Sequence, residues 1–88
     1  MNAKTLKQQL PRLLEKINYY ELMAEIHLDM CRAMYDASIK ALLTDEPLSY
    51  WESPAAIEET YALYEDAIKR KEYLEWLVKN IEKFAKNA

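Results

Sequence analysis

Residues 21–40 read ELMAEIHLDMCRAMYDASIK, with charged side chains at intervals of three or four positions. That interval is the period of an α-helix, so the stretch predicts one helix. Its charged side chains fall in a single narrow stripe, and nearly everything between them is apolar. A surface helix usually needs an apolar face of only about 100°. The apolar surface of this helix is wider than that, which predicts that the helix is covered on more than one side. The stripe consists of Glu21, Glu25, Asp29, Arg32, Asp36 and Lys40.

The predicted helix extends beyond this stretch and covers about residues 10–43. Near its start stands Pro11, which has no backbone N–H and cannot complete the preceding turn. We therefore expect a break or bend at residues 9–11.

A connection at residues 44–53 follows, because it contains Pro47 and several side chains that favour turns. Ser53 and Pro54 suit the N-cap and the first position of a second helix. That helix is predicted over residues 54–86, and acid-before-base pairs four residues apart support it.

The 88 residues contain no glycine, 51% are hydrophobic and 31% are charged. This composition excludes a disordered chain, and the missing glycine excludes the glycine-rich loops that hold phosphates. The single cysteine excludes an internal disulfide. No run of 18 apolar residues is present, so we expect no membrane partner and a cytoplasmic protein. The chain is expected to form one helical domain over residues 1–88.

Two long helices predict an all-α fold, an antiparallel helical hairpin. A lone pair of helices some 50 Å long has no enclosed core, taking about 1.5 Å per residue. Two hairpins packed together have one, so the sequence predicts a homodimeric four-helix bundle. The alternative is a three-helix monomer in which residues 6–14 fold back on the hairpin as a short separate helix.

Charge is segregated along the chain. Residues 1–20 carry four bases and one acid, net +3, and residues 67–88 carry six bases and three acids, also net +3. Residues 21–66 carry eleven acids and two bases, net −9. A hairpin would have a basic open end and an acidic connection end, and an antiparallel dimer would place opposite charges side by side.

Polar groups on the apolar side of the first helix predict the seam of the dimer. His27 and Cys31 are one helical turn apart, and a two-fold axis would collect two histidines and two cysteines, a set that zinc accepts. A neutral histidine with a hydrogen bond, beside a thiol that packs as a small hydrophobe, is more common. We therefore expect no metal and no cofactor. The predicted seam residues are Tyr20, His27, Cys31, Met34 and Ser38.

A second stripe, on the second helix, combines aromatic and basic side chains. Trp and Tyr on a polar face are typical of protein interfaces, and aromatic rings among lysines also stack on unpaired bases. The alternative is that the stripe is the seam with the second copy, with lysine stems lying along apolar surface. The predicted partner-binding surface consists of Lys69, Tyr73, Trp76, Asn80 and Lys83.

Tyr50 and Trp51 lie in the connection between two prolines. Rings in such a place usually cover the end of a helix pair, with the indole N–H bound to a backbone carbonyl. Recognition of a partner is the other role, and on that ground Trp51 joins the predicted partner-binding residues.

The residues offer no catalytic set, because one histidine and one cysteine at helical spacing make no nucleophile, base and orienting group. We therefore expect a small non-enzymatic interaction protein: an adaptor, inhibitor or regulatory subunit of the bacterial or phage type, acting on another protein. The alternative is a regulatory protein that binds nucleic acid through its basic ends. The acidic middle and the calculated pI of 5.2 favour the protein partner.

Overall fold

The structure is a computed structural model that describes residues 3–85, with residues 3 and 4 described by their backbone alone. Every regular element in this range is helical, and two long helices are joined by a short connection. The predicted all-α helical hairpin is confirmed. The prediction that the second helix reaches Lys86 lies outside the described residues.

Four helical segments make up the described chain. Helix α1 spans Ala3–Gln8, helix α2 spans Leu10–Leu43, a one-turn 3-10 helix spans Tyr50–Glu52, and helix α3 spans Pro54–Ala85.

The predicted break near the start of α2 is present at Gln9, which separates α1 from α2. Pro11 lies in the first turn of α2 and has no N–H to donate to the carbonyl of Lys7. Helix α1 does not fold back along α2, because it packs against the end of α3, where Lys7 Nζ lies 3.2 Å from Glu82 Oε2. Because residues 10–14 belong to α2, the separate helix that the three-helix alternative placed over residues 6–14 is wrong.

Helix α2 ends in a Schellman motif, which usually requires glycine in the left-handed region. Here Asp45 takes that conformation, with φ of 57°. The Glu46 N–H donates to the Ala41 carbonyl at 2.8 Å, and the Asp45 N–H donates to the Leu42 carbonyl at 3.4 Å. The last carbonyls of α2 are thus satisfied without glycine.

Helix α3 starts as predicted, because Ser53 Oγ accepts a hydrogen bond from the Ala56 N–H at 3.2 Å and Pro54 is the first helical residue. One turn earlier, Glu52 Oε1 accepts from both the N–H and the hydroxyl of Ser49, at 3.0 and 2.7 Å. Both bonds lower the pKa of Glu52, the hydroxyl contributing more.

Small side chains are the most buried residues of the seam between α2 and α3. Seam residues recur at alternating spacings of three and four, the pattern of a two-helix coiled coil, and all are buried or half-buried. The fully buried ones are small: Ala24, Cys31, Ala41, Ala56, Thr60, Ala67 and Ala85. The remaining seam positions are Leu10, Leu13, Ile17, Tyr20, His27, Met34 and Ser38 of α2, and Ile57, Tyr64, Lys71, Leu74, Val78 and Ile81 of α3.

The hairpin is a thin rod of 65 × 16 × 15 Å. Its radius of gyration is 19.4 Å, whereas a globular chain of this length has about 12 Å. Since α2 and α3 run antiparallel, the acidic middle of the sequence forms the connection end, and the basic segments meet at the open end. Lys71 Nζ lies 3.7 Å from Glu21 Oε1 across the seam, near the boundary between the two halves.

Candidate functional site

The five side chains predicted to line a dimer seam lie on the side of α2 that faces α3 of the same chain. Cys31 is buried and its Sγ–H donates to the Ile57 carbonyl at 3.7 Å. The Tyr20 ring lies under Arg70, whose guanidinium carbon is 5.8 Å from the ring centre. His27, Met34 and Ser38 are half-buried at the same seam. These residues therefore pack against α3 of their own chain. Other, larger apolar side chains remain exposed for contact with a second copy.

His27 and Cys31 are neighbours in this seam but differ in how their polar atoms are satisfied. Burial raises the pKa of the Cys31 thiol. His27 Nδ1 is buried and has no hydrogen-bond partner among the described residues. Among these residues the ring thus lacks, at Nδ1, the hydrogen bond that a neutral buried histidine usually makes.

The predicted partner stripe on α3 lies on the surface of the rod. Trp76 is 51% exposed and Tyr73 is 65% exposed. The Asn80 side-chain amide donates to the Trp76 carbonyl at 2.8 Å, and Lys83 Nζ lies 5.5 Å above the Phe84 ring. Lys69 is exposed on the same stripe. The structure thus places all five residues together, with two exposed aromatic rings among bases.

Beside this stripe lies an apolar hollow, the open-end cleft, of about 330 Å³ between α1, the start of α2 and α3. Its walls include Leu6, Leu13, Leu77, Phe84 and one edge of Trp76. The Trp76 and Phe84 ring centres are 6.3 Å apart. An apolar side chain from another molecule has room to enter here.

Trp51 belongs to a different part of the rod. It lies at the connection end, while Trp76 is about 33 Å further along α3, at 1.5 Å per residue from Pro54. The 3-10 turn of Tyr50 and Trp51 contacts both α2 and α3, but the two rings are 58% and 65% exposed, so they cover the end of the helix pair only in part. The Tyr50 hydroxyl donates to Glu59 of α3 at 2.9 Å, and the two rings pack edge to face on each other.

An apolar groove, here called the acidic groove, runs along one side of the rod near the connection end. It is lined by Tyr35, Ile39 and Leu42 of α2 and by Ile57 and Tyr61 of α3. Two adjoining hollows of about 420 and 410 Å³ share Tyr35, Ile39 and Ile57, so the groove is continuous. Its charged walls are Arg32, Asp36 and Glu58.

A third apolar surface, the central patch, consists of Tyr19, Met23, Ile26 and Met30 of α2 and Leu63 of α3. Residues seven apart share a flank of a heptad seam. Met30 and Tyr35 flank the seam on opposite sides, so the central patch lies on the side away from the acidic groove.

The open-end cleft lies on the same side as the central patch. Leu13 borders both this cleft and a hollow formed with Lys16 and Tyr19, so these side chains share one side of the hairpin. The central patch therefore continues the cleft toward the middle of the rod.

The sequence indicated that α2 is apolar around most of its circumference, but it did not indicate the acidic groove. The available signal was the face shared by Ile57 and Tyr61, which matches the side of α2 that holds Tyr35 and Ile39 once the two helices are in register. The register of α2 against α3 depends on the small seam residues. Two of them, Cys31 and Ser38, were predicted to lie in a contact between chains.

Within residues 3–85, no three histidine, cysteine or acidic side chains are grouped so that they could hold a metal ion. None of the helices in this range has a stretch long and apolar enough to cross a bilayer. Comparison with known proteins found no match to this chain, whether among protein-family models, curated proteins or solved structures.

Proposed function

We propose that this chain is a small non-enzymatic interaction protein, an adaptor, inhibitor or regulatory subunit, that acts on another protein as a homodimeric helical bundle. The observation that carries the proposal is apolar exposure. Seventeen large hydrophobic side chains are at least 40% exposed, and no large side chain of the described residues is fully buried. Exposed apolar surface on this scale is typical of chains that bury it against partners.

The surface area of the chain supports more than one contact. It exposes 6841 Å², whereas a globular monomer of this mass exposes about 5,400 Å². A stable interface of standard size covers about 800 Å² on each partner. The excess of about 1,400 Å² over the globular expectation exceeds the area of one standard contact, about 800 Å², and approaches that of two, about 1,600 Å².

The central patch is the proposed surface for the second copy. It lies near the middle of the rod, where a two-fold axis between antiparallel rods would pass. It contains Ile26, Met30 and Leu63, which are 40%, 45% and 53% exposed. With this arrangement the basic open end of each rod lies beside the acidic connection end of the other, which favours the antiparallel direction.

Sedimentation equilibrium of wild type and two matched variants tests the dimer. Ile26→Asp places a charge in the central patch, and we expect it to be monomeric at micromolar concentration. Leu14→Asp adds the same charge on the flank of α2 opposite the central patch, where Leu14 is 47% exposed, and should remain dimeric. A monomeric wild type, or equal dimerisation of both variants, contradicts the proposal.

The stripe of Lys69, Tyr73, Trp76, Asn80 and Lys83 remains the proposed contact for another protein at the open end. On the heptad pattern, Lys69, Trp76 and Lys83 point away from the seam, so a dimer through the central patch leaves them free. Trp51, at the other end of the rod, would be part of a separate contact. A pull-down that recovers a partner equally with wild type and Trp76→Ala removes Trp76 from this surface.

Nucleic-acid binding is the second candidate, favoured by the exposed rings of Tyr73 and Trp76 beside the bases of the open end. Binding to phosphates weakens steeply between about 50 and 200 mM salt, whereas an apolar protein contact changes little. A gel-shift assay with single-stranded DNA and RNA across this salt range tests it. No shift at the lowest salt excludes this candidate.

A further inference from the structure

The acidic groove is poorly suited to a second copy of this chain. Steps of seven residues from Glu58 lead along the same flank to Glu65 and Glu72, and a step back from Arg32 leads to Glu25. None of these four glutamates has an ion pair among the described residues. Two such faces brought together would place like charges against each other, which costs several kcal/mol in a protein interface. Charge therefore separates the two apolar sides of the rod into a self-contact and a contact for a different molecule.

From the groove and its charge we infer that it binds a basic amphipathic helix of a partner protein. This inference rests on the proposed interaction function and names the chemistry of one partner. Apolar residues of such a helix at positions i, i+3, i+4 and i+7 would enter the groove, and its lysines or arginines would face Glu58, Glu65 and Glu25.

The dimensions of the groove fit such a helix. From Arg32 to Leu42 the α2 wall is about 15 Å long, while four anchors spaced over seven residues cover about 10 Å. Tyr35 and Tyr61 stand on opposite walls, 61% and 46% exposed, and Ile39, on the α2 wall one turn after Tyr35, is 44% exposed. Tyrosine is enriched among the residues that contribute most to protein interfaces. The lining thus has both the apolar length and the aromatic anchors that helix recognition uses.

The ion pairs near the groove leave its glutamates available. Asp36 holds Lys40 at 2.8 Å and Asp29 holds Arg32 at 3.5 Å, so the nearby bases are already paired on α2. Glu58 on the α3 wall has no such base. A cationic partner would therefore meet uncompensated negative charge on the α3 side.

A labelled 14-residue helix of leucine and lysine, with all leucines on one face, is the probe, and fluorescence anisotropy at 150 mM salt is the readout. The same peptide with glutamate in place of lysine is the charge control. Ile39→Asp is the decisive variant, since it adds negative charge but removes an apolar side chain that lines both hollows of the groove. We expect it to weaken binding of the lysine peptide by about tenfold or more, the effect of one lost aliphatic contact. Leu14→Asp adds the same charge about 27 Å along α2 from Arg32 and should bind like wild type.

Three results would overturn the inference. Tighter or unchanged binding of the lysine peptide by Ile39→Asp would indicate charge attraction alone, and equal binding of the glutamate peptide would show that charge does not matter. Loss of the dimer in Ile39→Asp would assign the groove to a second copy. Tyr61→Asp on the opposite wall repeats the test if circular dichroism shows that Ile39→Asp is unfolded.

Sedimentation of the same samples separates this inference from the proposed dimer. If the wild type is monomeric and binds the peptide through the groove, only the proposed dimer is contradicted. If the wild type is dimeric and does not bind the lysine peptide, only the inferred role of the groove is contradicted. Release of monomers by the peptide would place it on the central patch and contradict the groove.

Discussion

His27 is the residue whose local chemistry is least satisfied. Its Nδ1 is buried at the seam with no hydrogen-bond partner among the described residues, one turn from a thiol that donates to a backbone carbonyl. Asp45 is the opposite case, since its left-handed backbone closes a helix that has no glycine to do so. Both residues carry a local cost that the packing around them has to offset.

Replacing His27 by leucine should stabilise the chain. The unpaired nitrogen costs about 1–3 kcal/mol on burial, and leucine of similar size removes that cost and adds apolar contact. We expect the free energy of unfolding to rise by about 1 kcal/mol. Urea titration followed by circular dichroism measures it, at one protein concentration for both chains. Destabilisation would show that the ring has a partner in solution.

The lowered pKa of Glu52 gives the connection a defined pH dependence. A carboxylate whose pKa is lowered in the folded state stabilises that state at pH above the ordinary glutamate pKa, about 4.3, and the effect is lost as the pH falls through the lowered value. Trp51 is adjacent and reports the change by fluorescence in a Trp76→Phe background. We expect an emission shift below about pH 4.3 that Glu52→Gln removes. An identical pH profile in Glu52→Gln contradicts the assignment.

At the level of the helices, the elements could be predicted and the contact between them could not. The charge stripe of α2, the break before Pro11 and the Ser53 cap follow from period and chemistry that the sequence displays directly. The seam does not, because alanine, serine, threonine and cysteine carry little hydrophobic signal, whereas the large side chains of Ile26 or Tyr61 carry much. Large apolar side chains dominate a hydrophobic pattern, whereas the close approach of two helices places small residues at their contact.

Enlarging a seam alanine should force the two helices apart. Ala67 is buried at 4% exposure, whereas Ala62 is exposed on the same helix. We expect Ala67→Leu to lower the free energy of unfolding by about 1–3 kcal/mol and Ala62→Leu to change it by less than about 0.5 kcal/mol. Thermal unfolding of both variants measures the difference. Equal effects would mean that the seam is not closely packed.

At the scale of the whole molecule, the rod combines a basic end with an acidic end and two apolar sides. The overall hairpin followed from the sequence, since a chain without glycine and with one irregular connection has few other choices. The sequence did not indicate which apolar side faces which partner, because that depends on the rotation of each helix about its axis. The structure defines this rotation through the contacts of Cys31 with Ile57 and of Tyr20 with Arg70.

Reversing charge at the open end should weaken the proposed dimer in a position-dependent way. Arg12 and Lys16 border the side of the central patch, whereas Lys69 and Lys83 point outward from α3. We expect Arg12→Glu with Lys16→Glu to raise the dimer dissociation constant about tenfold or more at 50 mM salt, and less at 500 mM. Lys69→Glu with Lys83→Glu changes the net charge equally and serves as the control. Equal weakening by both pairs would mean that overall charge alone acts.

The constant antiparallel register has a kinetic consequence. Partners across the seam are close in sequence beside the connection, where Cys31 meets Ile57, and far apart at the open end, where Lys7 meets Glu82. Closing a longer loop costs more chain entropy, so the seam should zip from the connection outward, and the open end should form last and fray first. The aromatic groups around Trp76 therefore stand on the part of the rod that opens most readily.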